Sequence, residues 1–291
     1  GKDEPPVEEL RKHAERLWRA NRSAEAFEVI ERLLELDPLH EDGLHLKANF
    51  HKELGDFDVS LEVVNQALTT HPRAWRLHRL RGSLLWDTGC PQDALAAYDS
   101  CLALNPTDPF AWYYKGYVLY RLEHYGASLP CLDRALSLKN DSAYIHNQKA
   151  FCLERLGDLD GALMSYQRSL RLNPMDLYTR EYCGQVLERL GRLTEALYQF
   201  EWVLSAKPQH HGALYHRAQV LQRLKRYETA GASYEQFLAS NPDHFRAWFN
   251  LGLCYRNRAI WAKAAQCFER ALTIRPQSIS ARHQIEFCRR R

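Results

Sequence analysis

Apolar and small residues recur along this chain with a period of 34. Leucine stands at Leu34, Leu68, Leu102, Leu136, Leu170, Leu204, Leu238 and Leu272. Four residues before each lies a large apolar side chain: Ile30, Val64, Tyr98, Leu132, Tyr166, Phe200, Tyr234 and Phe268. Two more series are always small. One runs Ala14, Ala48, Gly82, Gly116, Ala150, Gly184, Ala218 and Gly252; the other runs Ala26, Ser60, Ala94, Ser128, Ala162, Ala196, Ala230 and Ala264. Small opposite large predicts a knob in a socket where two helices approach closely. A fixed period of this length predicts one supersecondary unit copied end to end.

Seven of the twelve prolines keep the same phase, at Pro38, Pro72, Pro106, Pro174, Pro208, Pro242 and Pro276, and Asn140 stands where an eighth would fall. Counting from these marks gives eight repeats, 7–40, 41–74, 75–108, 109–142, 143–176, 177–210, 211–244 and 245–278. Each holds two stretches of helical period, as in Leu187 and Leu190 followed by Leu193, Ala196, Leu197 and Phe200. Gly55, Gly89, Gly157 and Gly191, at repeat position 15, predict a left-handed residue closing the first helix. Asp37, Asn105, Asn173 and Asn241 each precede a proline that ends the second. No run reads as a strand. Residues 1–6 form a polar tail, and 279–291 continue the register as one more first helix. Ala281, Ile285 and Cys288 fall on its packing side and Arg282, Glu286 and Arg289 on the other, as suits a cap. The expectation is one elongated all-α domain.

These residues resemble the tetratricopeptide repeat, a 34-residue helix–turn–helix with a bulky residue at position 4, small residues at 8 and 20, an aromatic at 24 and proline at 32. Trp112 and Trp248 fill position 4 in the family manner, whereas His78, His146 and Arg180 depart from it and predict looser packing there. The resemblance implies a right-handed superhelical solenoid of eight repeats with a C-terminal capping helix. It also implies that the first helices line a concave groove, with positions 2, 5, 6, 9, 12 and 13 turned inward. The expected function is a non-enzymatic scaffold that binds an extended peptide or flexible partner segment there. Two alternatives stand beside it: the substrate-presenting region of a larger enzyme or membrane-tethered assembly factor, and self-association through the solenoid ends.

The candidate partner-binding residues at the implied groove positions are Phe110, Tyr113, Tyr114, Tyr117, Tyr144, Asn147, Phe151, Arg155, Tyr178, Tyr182, Gln185, Arg189, Gln219, Arg223 and Asn250. Aromatic rings offer rigid contact area, amides can pair with an unpartnered backbone, and arginine can hold a carboxylate through two parallel bonds. Tyrosine at positions 5 and 12 also packs between repeats, and the position-13 arginines, Arg19, Arg121, Arg155, Arg189 and Arg223, also face the negative end of a helix dipole. The carboxylate clamp of chaperone-binding members is poorly matched: starting from repeat 2, its places hold His45, Asn49, Leu80, Phe110 and Tyr114. The asparagine ladder of the glycosyltransferase repeats is kept only at Asn250.

Charge and cysteine narrow the picture. The net charge of +3 is spread over 75 charged side chains with acids interleaved throughout, which argues against a nucleic-acid partner. No apolar run is long enough to span a bilayer, so no direct membrane insertion is expected. Cys152, Cys254 and Cys288 share position 10, and Cys131 and Cys267 share position 23, so the eight cysteines follow the fold. They read as buried, reduced packing thiols, which points to the cytoplasm and to neither metal nor disulfide. His210 and His211 read as a solvated loop, Glu31 and Glu35 as surface charge, and no glycine-rich loop is built to cradle phosphate. No cofactor and no catalytic site are expected. The Asn21 and Asn140 glycosylation tripeptides are matches that chance supplies at this length, and the leading glycine and arginine-rich end read as a piece of something longer.

Overall fold

A computed structural model describes residues 6–139 and 142–291. The tail residues 1–5 and Asn140, the break in the proline series, lie outside the described residues. All regular structure among the described residues is helical. They pack as two compact units, one ending at Leu156 and one beginning at Gly157.

The first unit contains α1 (Val7–Arg19), α2 (Ser23–Leu36), α3 (Glu41–Glu53), α4 (Phe57–Thr70), α5 (Trp75–Asp87), α6 (Pro91–Leu104), α7 (Pro109–Arg121), α8 (Tyr125–Leu138) and α9 (Ala143–Leu156). The second contains α10 (Leu159–Leu172), α11 (Leu177–Arg189), α12 (Leu193–Ala206), α13 (His211–Arg223), α14 (Tyr227–Ser240), α15 (Phe245–Asn257), α16 (Trp261–Ile274) and α17 (Ile279–Arg289). Within each unit every helix packs on the next. Odd helices also touch odd ones, α1 to α3, α3 to α5, α5 to α7, α7 to α9 and α11 to α13, so the first helices share a face.

The knob and socket are real. A Cβ placed on Gly82 would stand 2.7 Å from the Tyr98 ring, and one on Gly184 or Gly252 would stand 2.7 Å from Phe200 or Phe268. Tyr98, Phe200 and Phe268 are themselves fully buried. Where serine replaces alanine at position 20, its hydroxyl donates back to the socket: Ser60 to the Ala48 carbonyl and Ser128 to the Gly116 carbonyl, both at 2.6 Å. A small polar group is thus buried without an unmet partner.

The turn inside each repeat is more uniform than its glycines suggest. Gly55, Gly89, Gly157 and Gly191 have φ of 85, 81, 85 and 75°, as expected, but Asn21, Glu123, Lys225 and Ala259 adopt the same left-handed region at 60, 62, 61 and 58°. The next amide then donates back five residues, as from Arg22 to Leu17 and Arg226 to Leu221 at 2.9 Å, the closing bond of a Schellman cap.

The expectation of looser packing at His78 and Arg180 is corrected. Each polar position-4 side chain reaches the carbonyl of the proline six residues earlier, His78 to Pro72 at 2.8 Å and Arg180 to Pro174 at 3.0 Å. Trp112 and Trp248 do the same with their indole N–H, at 2.9 and 2.7 Å. Leu10, Leu44 and Leu214 fill the same position with bulk alone, so the position accepts either an apolar side chain or a donor to the proline carbonyl. Arg180 also lies 3.7 Å over the Trp202 ring. The counterpart for His146 is residue 140, outside the described residues.

Candidate functional site

On the first unit, α7 and α9 bring five of the candidate residues together. Tyr113 sits at the centre with its ring 5.2 Å from Tyr114, 6.4 Å from Tyr117 and 5.1 Å from Tyr144. It is only 5% exposed, so Tyr113 is a floor residue and not the free contact its register implied. Phe110, Tyr114 and Tyr144 are the outward rings, at 44, 39 and 62% exposure. Tyr114 stacks on Tyr98 from α6 at 6.1 Å, and Tyr117 meets Trp86 from α5 edge-on at 5.5 Å. Two recesses open among these rings. One of about 120 Å³ lies between Phe110, Tyr114 and Tyr144, and one of about 250 Å³ is bounded by Trp86, Tyr117 and Tyr144.

The support beneath this face is ionic. Asp108 is 3% exposed, caps α7 by accepting from the Phe110 amide at 3.1 Å, and receives Arg79 Nη1 on both carboxylate oxygens at 3.0 and 3.1 Å. Arg79 in turn lies 5.4 Å over the Phe110 ring, and Lys139 lies 4.5 Å from it. Two cations therefore lie over the Phe110 ring, at the start of a helix whose cap is fixed by one of them.

The remaining first-unit candidates are dispersed. Phe151 lies beside Tyr120 at 6.4 Å, and Asn147 is half-buried. Arg155 donates to the Tyr125 hydroxyl at 3.0 Å and covers that ring at 5.3 Å, so it braces the start of α8. Its row-mate Arg121 instead donates to the Tyr117 hydroxyl at 2.9 Å and covers Trp86 at 5.6 Å.

The second unit presents a different chemistry. Tyr178 is 63% exposed, with its ring 5.8 Å from His210, while Tyr182 stacks on Tyr166 at 6.1 Å. Gln185 donates to Glu181 at 3.2 Å, Arg223 donates to the Glu188 backbone carbonyl at 2.9 Å, Arg189 is exposed, and Gln219 and Asn250 are half-buried. Arg223 thereby satisfies a carbonyl in the last turn of α11. His216 meets Glu188 at 3.2 Å, and His210 lies 3.6 Å from Glu181. His210 is buried and caps α13 by accepting from the Ala213 amide, which corrects its reading as solvated loop. This face is amide-rich and already ion-paired.

The register reasoning missed a larger cleft of about 1080 Å³ over α1, α3 and α5, with Trp18, His45, Asn49, Trp75, Arg76 and Arg79 on its walls. Burial first, then Arg79 and Arg76, push the His45 pKa down to about 4. The neutral ring accepts from the Asn49 amide at 3.4 Å. His45 and Asn49 were legible as letters at positions 5 and 9; the nearness of Trp75 across the cleft was not.

Other chemistry is sparse. Among the described residues no group of three or more His, Cys, Asp or Glu side chains could hold a metal ion, and no helix is long and apolar enough to cross a membrane. All eight cysteines are free; seven are buried, with Cys101, Cys254 and Cys267 pushed up to about 12, mainly by desolvation. Cys90 is the exception, exposed just before Pro91.

No curated protein matches the chain in sequence. Solved structures do match in fold. A tetratricopeptide repeat protein from Parabacteroides merdae is 17% identical over 97% of this chain and 98% of its own, with a TM-score of 0.58. The C-terminal part of a repeat protein from Cytophaga hutchinsonii gives 15% identity over 83 and 99%, with a TM-score of 0.71. The chain is also similar to a structure of the APC/C hetero-tetramer Cut9–Hcn1, at 18% identity over 96 and 55% and a TM-score of 0.55. The tetratricopeptide repeat family model matches residues 45–109, 113–176, 184–235 and 218–279. With well over half its length matched and the repeat geometry present in both units, the chain belongs to the tetratricopeptide repeat family.

Proposed function

We propose that the chain is a non-enzymatic scaffold that holds an extended segment of a protein partner against the aromatic face of α7 and α9. Proteins of this family bind protein partners. The observation that carries the reading is the exposure of Phe110, Tyr114 and Tyr144 around two recesses on a rigid, capped and ion-paired support. Large rings left in water beside a shaped recess are the usual anchors of an interface. Rigid aromatic walls also lose little entropy when a partner is ordered against them.

A displayed library of random peptides tests the proposal. Selection on the wild-type chain, counter-screened against the double variant Phe110→Ala/Tyr144→Ala, should enrich peptides that the variant fails to retain. Equal recovery on both proteins removes this face as the binding surface.

A further inference from the structure

In the first unit a lysine at repeat position 7 reaches back to an acid at position 25 of the repeat before it. Lys47 meets Glu31 at 2.6 Å, Lys115 meets Asp99 at 2.6 Å and Lys149 meets Asp133 at 2.7 Å. Each pair straps a first helix to the second helix ahead of it, and Lys115 also lies 5.7 Å over Trp112. The last two repeats keep the acid, Glu235, and the ring, Trp248, but place Leu251 where the lysine would stand. Glu235 instead accepts from the Tyr255 hydroxyl. A recess of about 590 Å³ opens there, with α15 as its floor and α14 and α16 as its banks.

Leu238, Leu251 and Cys267 form the buried bottom of this trough, and the half-buried rings of Trp248 and Tyr255 are its apolar walls. Along the α16 bank Lys263, Gln266 and Arg270 stand exposed at i, i+3 and i+7, a row on one helix face whose two cations are about 10 Å apart. Lys263 rests 5.4 Å over the Tyr255 ring, and Arg270 shares Asp243 at 3.6 Å, a pair largely in water and easily exchanged. An occupant must therefore bring apolar side chains for the rings and anionic groups for the α16 bank. It must also bring a backbone that needs no partner, because the helices lining the trough spend their backbone groups internally. An extended strand fails the last demand, and a helix meets it. The exposed side of α17 carries Arg282 and Arg289, like in sign to the bank, so the cap of a second copy is a poor match.

We propose that the trough between α14 and α16 is a docking site for an amphipathic helix of a protein partner, its apolar face on Trp248 and Tyr255 and an acidic edge along Lys263 and Arg270. The proposal is independent of the aromatic face of the first unit and adds a second surface to the scaffold.

Anisotropy of a labelled peptide of about 18 residues, long enough to hold a helix, tests it on the full chain. The probe carries leucines along one helical face and glutamates along one edge of that face; one control replaces the glutamates by lysine, and another places proline at mid-helix. The acidic probe should saturate, the lysine version should bind at least tenfold more weakly, and the broken version should not saturate. Lys263→Glu/Arg270→Glu, exposed changes that leave the core alone, should weaken the acidic probe at least tenfold and favour the lysine version. Leu251→Lys, which restores the strap to Glu235, should weaken both. Absence of saturation by the acidic probe, equal binding of the broken peptide, or wild-type affinity in the charge-reversed variant overturns the proposal. Concentration-dependent dimerisation of the chain that the charge-reversed variant abolishes would assign the trough to a second copy and overturn it too.

Discussion

Asn21, Glu123, Lys225 and Ala259 carry a backbone conformation that glycine adopts without strain, with φ between 58 and 62°. For a residue with a Cβ that region costs about 1–2 kcal/mol, of which glycine's greater freedom in the unfolded chain gives back about 0.5–1. Lys225→Gly and Ala259→Gly should therefore each stabilise by on the order of 0.5–1 kcal/mol, read as a higher urea midpoint at constant slope. A lower midpoint for both would mean that those side chains are held by contacts worth more than the strain. His45 supplies a second residue-scale outcome. Its pKa falls from 6.5 to about 4 on folding, so the native state resists protonation while the unfolded chain accepts it. The stability from keeping this ring neutral is whole above about pH 6.5, declines from there to about pH 4, and is absent below. A shift of that size, discounted for the ring's remaining solvent contact, corresponds to roughly 2 kcal/mol. Urea midpoints of the wild type and His45→Gln should diverge across that window, with the wild type losing more. Parallel curves would assign acid sensitivity to other groups.

Helix starts depend on one position more than on any other. The residue ahead of the first helix accepts a backbone amide from its side chain at His40, Asp108, Asp176, His210, His244 and Ser278, whereas Ala74 has no acceptor to offer. Asp108 does two things at once, capping α7 and pairing with Arg79 while almost fully buried. Asp108→Ala leaves the part-buried guanidinium without its carboxylate and the helix without its cap, and should cost about 2–4 kcal/mol. Asp108→Asn keeps a capping oxygen and should cost distinctly less. Chemical denaturation of the two variants checks the order; equal losses would show that the ion pair contributes nothing beyond the cap. The same substitutions loosen the cation resting on Phe110, so stability and the aromatic face are coupled through one carboxylate.

At the scale of the whole molecule, stability is passed between neighbouring repeats. α17 closes the end of the second unit by packing Ile285 and Cys288 against Ala264 and Phe268. Removing residues 279–291 should expose Phe268 and Leu272 and lower hydrogen-exchange protection in α15 and α16, with α11 and α12 nearly unchanged. Protection lost evenly through the second unit would contradict nearest-neighbour coupling.

The helices and turns were legible in the letters because they rest on short-range causes. Leu34 to Leu272 mark an apolar stripe, proline stops a helix wherever it stands, and Gly82 beside Tyr98 follows from a fixed spacing within one repeat. The left-handed turns at Glu123, Lys225 and Ala259 escaped notice because the backbone closure between the two helices of a repeat holds there a geometry that those residues do not themselves prefer. The candidate site was legible only as a set of positions. Tyr113 and Tyr114 are adjacent and chemically identical, yet one is a buried floor and the other an exposed wall, since a step of one residue turns a side chain about 100° around the helix. Arg121 and Arg155 share a register, yet one covers Trp86 and the other Tyr125, because each long side chain goes where a neighbouring ring and a hydroxyl acceptor lie within its reach. By itself the sequence determined the period, the helices and which residues stand at first-helix positions, all set by spacing along the chain. Only the tertiary structure decided which of those residues face water, because exposure depends on what distant segments place opposite them.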